Sequence, residues 1–226
     1  MLSLKSEQLM CYYVAFFSFV EYFLQRVGST EAAGAVCSSW TTLYSHKEQI
    51  TLAPGNLLTI LPVRPKEWQV KFELQPTSFD YDIECGMCNI LHMTNFCHRG
   101  SQLGCVGSQI PRFYYDPSKD MKLTMVTASN GDGSDYGGSY KMSTPVVGAW
   151  TTIEMSQELT DGRYMIKQIV DGRLVHSWEN TQPQSFENVS VYASSIYKSQ
   201  ISQPGFIRGL LIQGKGDFFL YKKDAL

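Results

Sequence analysis

The chain has 226 residues, of which 43% are hydrophobic and 18% are charged. This is an ordinary globular composition, and the length suffices for one large hydrophobic core or two small ones. The formal net charge of −2 comes without any run of like charges. It argues against a nucleic-acid binder or a protein that docks on an anionic membrane, because both usually carry basic clusters.

The N-terminal segment differs from the rest of the chain. Residues 10–24, "MCYYVAFFSFVEYFL", form a short apolar stretch that is followed by small residues just before Val36. This order predicts a signal peptide over residues 1–35 and a secreted, extracellular product. The stretch is short for a membrane span and contains Glu21, so no span is expected in the mature chain. An uncleaved anchor and a misassigned start codon are the alternatives.

Beyond this segment the sequence alternates with the period of β-strands. In "EWQVKFELQP" the residues Trp68, Val70, Phe72 and Leu74 share one face, and polar residues occupy the other. Such period-two alternation predicts a strand with one buried face. Further along, Asp171-Gly172 separates two alternating runs, which predicts a β-hairpin with a type I′ turn.

Short predicted strands, separated by Gly, Pro and Asn residues, continue to the C-terminus, and no amphipathic helix is evident after residue 36. This pattern predicts an all-β fold with antiparallel sheets, in a single β-sandwich domain over residues 36–226. The other predicted strands are "MKLTMV", "WTTIEMSQ", "GRYMIKQIV", "RLVHSW", "ENVSVYAS", "FIRGLLIQG" and "DFFLYKK".

The cysteines agree with export. Four of them lie within 21 residues, as expected of a loop held by two disulfides whose pairing stays open. A zinc site that also uses His98 is the alternative. Cys37 is left over and could link two copies in a homodimer. The disulfide candidates are Cys37, Cys85, Cys88, Cys97 and Cys105.

Asn188-Val189-Ser190 is an N-glycosylation sequon, which matters only in the secretory pathway. In the predicted strand "ENVSVYAS", Val189 and Val191 face the core. Asn188 therefore lies on the outer face, where a glycan must point.

Residues 148–194, followed by "GFIRGLLIQG", resemble the concanavalin A-like lectin/glucanase superfamily, including laminin-G-like and pentraxin-like jelly rolls. The shared features are a strand that begins at a Trp, an aliphatic-Asp-Gly hairpin, and a late strand of the form apolar-x-x-Leu-x-Ile. The resemblance implies two stacked antiparallel sheets in a jelly-roll sandwich. The superfamily includes sugar binders, adhesion modules and glycosidases, so it does not fix the activity.

A glucanase would use two carboxylates on one strand face. Asp80-Tyr81-Asp82-Ile83-Glu84 matches the spacing of the Glu-x-Asp-x-Glu motif, but it has Asp80 where the nucleophilic Glu belongs. The shorter side chain would draw that carboxylate back, and retaining chemistry requires a separation of about 5–5.5 Å. An acidic strand end before a disulfide loop is the simpler interpretation.

The Gly-rich segment "SNGDGSDYGGS" is the best candidate for a ligand rim. Its oxygen ligands on a flexible backbone suit a sugar and could suit Ca²⁺, although the segment fails the EF-hand pattern. An ordinary polar loop between two strands would have the same composition. A second aromatic candidate lies in "RFYYDP", where adjacent tyrosines point to opposite faces. The predicted ligand-binding residues are Asn130, Asp132, Asp135, Tyr136 and Tyr114.

Together these features predict a secreted, non-catalytic recognition domain that binds a glycan or an extracellular protein. The alternatives are a glycoside hydrolase that uses Asp80 and Glu84 and a purely structural matrix protein. No catalytic residue and no metal ligand is assigned.

Overall fold

The computed structural model describes residues 39–79, 87–96, 105–116, 122–135, 146–196 and 202–216. Within these ranges it contains strands and no helix, so none is present that could cross a membrane. The strands are β1 (Thr41–His46), β2 (Ile50–Thr51), β3 (Leu57–Arg64), β4 (Glu67–Pro76), β5 (Cys88–Thr94), β6 (Arg112–Asp116), β7 (Lys122–Ser129), β8 (Asp132–Asp135), β9 (Thr151–Thr160), β10 (Arg163–Val170), β11 (Arg173–Glu179), β12 (Phe186–Ala193) and β13 (Gly205–Lys215).

The strands form two antiparallel sheets. The seven-stranded sheet has the order β1-β13-β4-β9-β10-β11, with β2 also paired to β13. The six-stranded sheet has the order β3-β12-β5-β6-β7-β8. The described strands lie in one compact unit that begins at Trp40. The predicted two-sheet jelly-roll sandwich is confirmed.

The core lies between the sheets and uses the alternation seen in the sequence. Trp68, Val70, Phe72 and Leu74 of β4 are all buried, which confirms their predicted common face. Across the interface, the Phe72 ring meets Phe113 of β6 edge to face, with 5.1 Å between ring centroids. Aromatic pairs favour this geometry because the positive ring edge meets the negative ring face.

The hairpin that joins β10 and β11 also forms as predicted. Asp171 has a φ of 48° and Gly172 a φ of 74°, the two positive values of a type I′ turn. The Asp171 carboxylate accepts a hydrogen bond of 2.9 Å from the Thr152 backbone N–H. This bond ties the hairpin to the neighbouring strand β9.

The outer face of the seven-stranded sheet carries cross-strand ion pairs. Lys71 lies 3.4 Å from Glu154, and Lys167 lies 3.6 Å from Glu158. Exposed pairs of this kind contribute little to stability, and opposite charges alternate along the face. We interpret this face as an ordinary solvated surface.

One charged residue is enclosed at the end of the sandwich. Arg64, at the end of β3, is 2% exposed, and its guanidinium carbon lies 4.8 Å from the centroids of both the Trp68 and Phe186 rings. Its Nε and Nη1 have no hydrogen-bond partner among the described residues. Burial lowers the pKa of Arg64 to about 9, because removing water disfavours the charged form. The two rings compensate for only part of that cost.

Arg64→Met should therefore stabilise the fold, because methionine fills a similar length between the two rings without burying a charge. We expect the free energy of unfolding to rise by about 1–4 kcal/mol, the range found when buried ion pairs are replaced by well-packed apolar residues. Chemical denaturation at neutral pH measures this change, with Arg163→Met at an exposed position as the control. A loss of stability in Arg64→Met alone would show that the cation–ring contacts outweigh the desolvation cost.

Candidate functional site

The predicted ligand rim forms the tip of the β7–β8 hairpin. Asn130 and Gly131 occupy the turn with φ values of 51° and 79°, and Asn130 tolerates this left-handed conformation better than most residues. The exposed Asp132 follows at the start of β8, and Asp135 ends that strand opposite Thr127. Tyr136 lies outside the described residues.

The carboxamide of Asn130 makes hydrogen bonds with other residues of the protein. Its Oδ1 accepts hydrogen bonds of 2.7 Å from the Thr181 backbone N–H and 2.8 Å from the Thr181 hydroxyl. Its Nδ2 donates to the Glu179 carbonyl at 3.3 Å. These bonds hold the hairpin against the loop that follows β11, and the ligand-binding role of Asn130 stays a prediction.

A chain of amides continues this connection into the sandwich. Asn180 Oδ1 accepts from the Asn130 backbone N–H at 2.9 Å, and Asn180 Nδ2 donates to Gln157 Oε1 at 2.7 Å. Gln157 Nε2 in turn donates to the Lys66 carbonyl at 2.6 Å. Asn180 and Gln157 are both buried, so these bonds tie the hairpin of one sheet to a strand of the other.

Tyr114 is far from the tip of this hairpin. It pairs with Thr124 on β7, five residues before Ser129, where β7 ends and the turn follows; five residues correspond to about 16 Å along a strand. Tyr114 is buried, and its ring lies 4.9 Å from the Arg112 guanidinium carbon. Tyr114 therefore does not share a site with Asn130 and Asp132 at the hairpin tip.

As expected of adjacent strand residues, the two tyrosines of β6 face opposite sides. Tyr115 lies in the core, where its ring meets Phe79 edge to face at 5.2 Å. Tyr114 points to the outward face of the six-stranded sheet.

The remaining candidates are only partly described. Cys88 and Cys105 are disulfide-bonded, whereas Cys37, Cys85 and Cys97 lie outside the described residues, as do Asp80, Asp82 and Glu84. Asn188 is exposed, with a φ of 51°. The described residues contain no group of three acidic, His or Cys side chains placed to hold a metal ion.

The strongest polar cluster lies on the outward face of the six-stranded sheet. We call Asn89 and His92 of β5 with Arg112 and Tyr114 of β6 the β5–β6 polar face. His92 pairs with Arg112 across the strands, and Asn89 pairs with Tyr114. Arg112 Nε donates to Asn89 Oδ1 at 2.7 Å. All four side chains are at most 2% exposed, although this face looks away from the core.

His92 is the most unusual member. Its Nε2 is 2.7 Å from the Ser108 carbonyl, and because a carbonyl only accepts, Nε2 carries the proton. Nδ1 is then a bare acceptor, buried and without a hydrogen-bond partner among the described residues. Burial, then the positive charge of Arg112, lowers the pKa of His92 to about 3, so the ring is neutral at physiological pH.

The sequence gives only a weak signal for this cluster. Strand β5 is a mostly apolar run in the sequence, and Asn89 and His92, which both point outward, are three residues apart. The pairing register shifts between Asn89 and Leu91, so a bulge replaces strict alternation. Strict alternation along the sequence would therefore place Asn89 and His92 on opposite faces of the sheet.

Comparison with known proteins identifies no family for this chain. No protein family matches the sequence, and no curated protein matches it significantly. A heptameric SAP-like pentraxin from Limulus polyphemus is similar in structure, with 15% identity, a TM-score of 0.46, and coverage of 74% of this chain and 76% of the pentraxin.

Two further solved structures are similar to this chain. The CBM40 domain of a Ruminococcus gnavus IT-sialidase, bound to α2,3-sialyllactose, has 14% identity, a TM-score of 0.42, and coverage of 77% of this chain and 92% of the domain. The alginate lyase Aly36B has 11% identity, a TM-score of 0.44, and coverage of 73% and 79%. All three have the concanavalin A-like jelly-roll fold that the sequence resemblance implied. At these identities the likeness concerns the fold alone.

The role of Asn130 can be tested by separating its side chain from its backbone. Asn130→Gly keeps the left-handed φ accessible but removes the carboxamide, so we expect the free energy of unfolding to fall by about 1–3 kcal/mol. Asn130→Ala should cost about 1 kcal/mol more, because alanine disfavours that φ. Thermal and chemical denaturation measure both changes. Wild-type stability in Asn130→Gly would rule out the anchoring role.

His92 should make the fold sensitive to acid. Below pH 6.5 the unfolded chain protonates this histidine, whereas the folded chain resists protonation until about pH 3. The unfolded state then binds the extra proton, so stability falls as the pH is lowered through this window, by at most about 1.4 kcal/mol per pH unit.

His92→Gln retains an N–H donor for the Ser108 carbonyl but does not titrate. Denaturation of this variant between pH 6.5 and 3 should show a shallower decline than the wild type. His176→Gln, at a half-buried position, is the matched control for replacing a histidine with glutamine. Parallel curves for the wild type and His92→Gln would mean that His92 is protonated normally in the folded state.

Proposed function

We propose that this chain is a secreted, non-catalytic recognition domain that binds a carbohydrate at the β5–β6 polar face. The observation that carries the proposal is the Nδ1 of His92, a buried acceptor in a polar face of a sheet that has no hydrogen-bond partner within the described part of the chain. A buried acceptor without a donor costs about 1–3 kcal/mol. A ligand hydroxyl that donates to Nδ1 would recover that free energy.

The surroundings of His92 suit a sugar better than an ion. Nδ1 needs a donor: a sugar hydroxyl can donate to it, an anion without protons cannot, and a cation would be repelled by the positive charge of the neighbouring Arg112. The half-buried Tyr192 of β12 pairs with His92 on the side away from Arg112. Because His92 is only 1% exposed, the sugar would lie above it and direct one hydroxyl inward past Tyr192.

The low pKa of His92 supports recognition without catalysis. A general acid or base works best when its pKa lies near the working pH, and a histidine with a pKa of about 3 is not in the imidazolium form that a general acid needs at neutral pH. It is also a weak base. It can still accept a hydrogen bond, which is the function that we assign to it.

The affinity at one such site would be modest, because sugar hydroxyls exchange water for protein hydrogen bonds with little net gain. Several copies acting together would compensate, since linked sites raise avidity without new contacts. We therefore expect the domain to act in a clustered form on a glycan-bearing surface.

A glycan array probed with the secreted, folded protein in a multivalent form tests this proposal. For each glycan bound, titration of nitrogen-15-labelled protein should move the Nδ1 resonance of His92 while that of His176 stays in place. Binding with an unchanged His92 signal would place the site elsewhere. A silent array with protein that is folded by circular dichroism would argue for the structural matrix alternative.

A further inference from the structure

Phe96 stands out beside the β5–β6 polar face. It follows the end of β5 by two residues and is 46% exposed. Among the exposed large apolar side chains of the described residues it is the one aromatic ring; the others are Leu57, Ile60, Val146, Val147, Leu159 and Leu174. Its ring therefore contributes little to the core.

Phe96 also has an unfavourable backbone conformation. Its φ is 48°, a left-handed value that costs a residue with a Cβ about 1–2 kcal/mol. Of the other described non-glycine residues with positive φ, four are Asn or Asp, which adopt this conformation most easily, and one is Ser. They are Asn130, Asp161, Asp171, Asn188 and Ser194. A turn at position 96 would form more readily with Asn or Gly, so the ring itself needs an explanation.

Local hydrogen bonds hold the chain in this conformation. The Thr94 hydroxyl donates to the Gly107 carbonyl at 3.2 Å and accepts from the Phe96 backbone N–H, also at 3.2 Å. The Asn95 backbone N–H donates to the same Gly107 carbonyl at 3.1 Å. Strain that the surroundings maintain in this way is characteristic of functional positions.

The ring of Phe96 lies next to the proposed site. Phe96 meets Tyr192 edge to face, with 6.4 Å between ring centroids, and Tyr192 is the cross-strand neighbour of His92. The exposed face of Phe96 and the bare acceptor of His92 are therefore separated by a single aromatic side chain.

We propose that Phe96 is the stacking platform of the site, and that it packs against the C–H face of a hexopyranose whose hydroxyl donates to His92 Nδ1. This inference rests on the proposed function. An aromatic face attracts the slightly positive C–H groups of a sugar and shields them from water. The platform would select pyranoses that present a face free of axial hydroxyls, because a hydroxyl there would lose its water on stacking.

Leu57 and Ile60 are exposed on the edge strand β3 of the same sheet, and Leu57 pairs with Tyr192. A partner protein that docks on an apolar surface would use these two side chains together with Phe96. A sugar stacked on Phe96 would not need them. The two occupants therefore predict different effects for a Leu57→Ala/Ile60→Ala double variant.

The experiment uses methyl β-D-galactopyranoside, methyl β-D-glucopyranoside and methyl α-D-mannopyranoside as probes, with titration calorimetry and saturation-transfer NMR. For a glycoside that the wild type binds, Phe96→Ala and Phe96→Gly should weaken binding by about tenfold, equivalent to about 1.4 kcal/mol. Phe96→Trp should bind within threefold of the wild type. Saturation should reach the protons of one pyranose face.

Phe96→Gly also reports on strain, because glycine adopts positive φ without penalty. We expect its melting temperature to equal or exceed that of the wild type while glycoside binding is lost. A lower melting temperature with unchanged binding would make Phe96 a structural residue and overturn the inference.

Two further outcomes separate this inference from the function on which it rests. A glycoside that binds the wild type and both small variants equally would overturn the platform and leave the proposed function intact. Loss of binding in Leu57→Ala/Ile60→Ala, with binding by Phe96→Ala unchanged, would also overturn the platform. It would point to a protein that docks on these apolar side chains. No binding by the wild type, to these glycosides or on the array, would remove the proposed function and the platform together.

Discussion

The apolar contact between the two sheets is the constraint on which the other features depend. Period-two alternation sends Trp68, Val70, Phe72 and Leu74 of β4 inward, where Phe72 packs edge to face on Phe113. Once these rows are buried, the residues between them must point outward. On the seven-stranded sheet the outward residues form a solvated set of ion pairs. On strands β5 and β6 of the six-stranded sheet they form a polar face that is itself buried.

The burial of the β5–β6 polar face determines what its polar groups can bind. Polar groups lose water when they are buried and must find partners inside the protein. Arg112 and Asn89 satisfy one another in part, but the Nδ1 of His92 does not find a donor among the described residues. Arg64 shows the contrasting case, since it is enclosed between two aromatic rings at the end of the sandwich. We interpret the first as a binding feature and the second as a cost to stability.

Some of this could be predicted from the sequence. The strands, the Asp171-Gly172 turn and the two-layer fold follow from local patterns, because alternation and turn chemistry are encoded within a few residues. The residues around Asn130 also predict a sugar-binding rim, since Asn, Asp and Gly occur both in turns and in ligand sites. The structure shows that the Asn130 carboxamide binds Thr181 and Glu179, about 50 residues away in the chain. Nothing near Asn130 indicates those partners.

The sequence by itself determined which residues form strands, where one tight turn lies and which side of most strands is buried. The tertiary structure decided which polar side chains meet. A bulge near Ile90 brings Asn89 and His92 to one face, the pairing of β5 with β6 and β12 adds Arg112 and Tyr192, and a turn held by Thr94 places Phe96 beside them. The reason is physical: alternation acts between neighbours in the chain, whereas strand order and register bring together residues that are far apart in it.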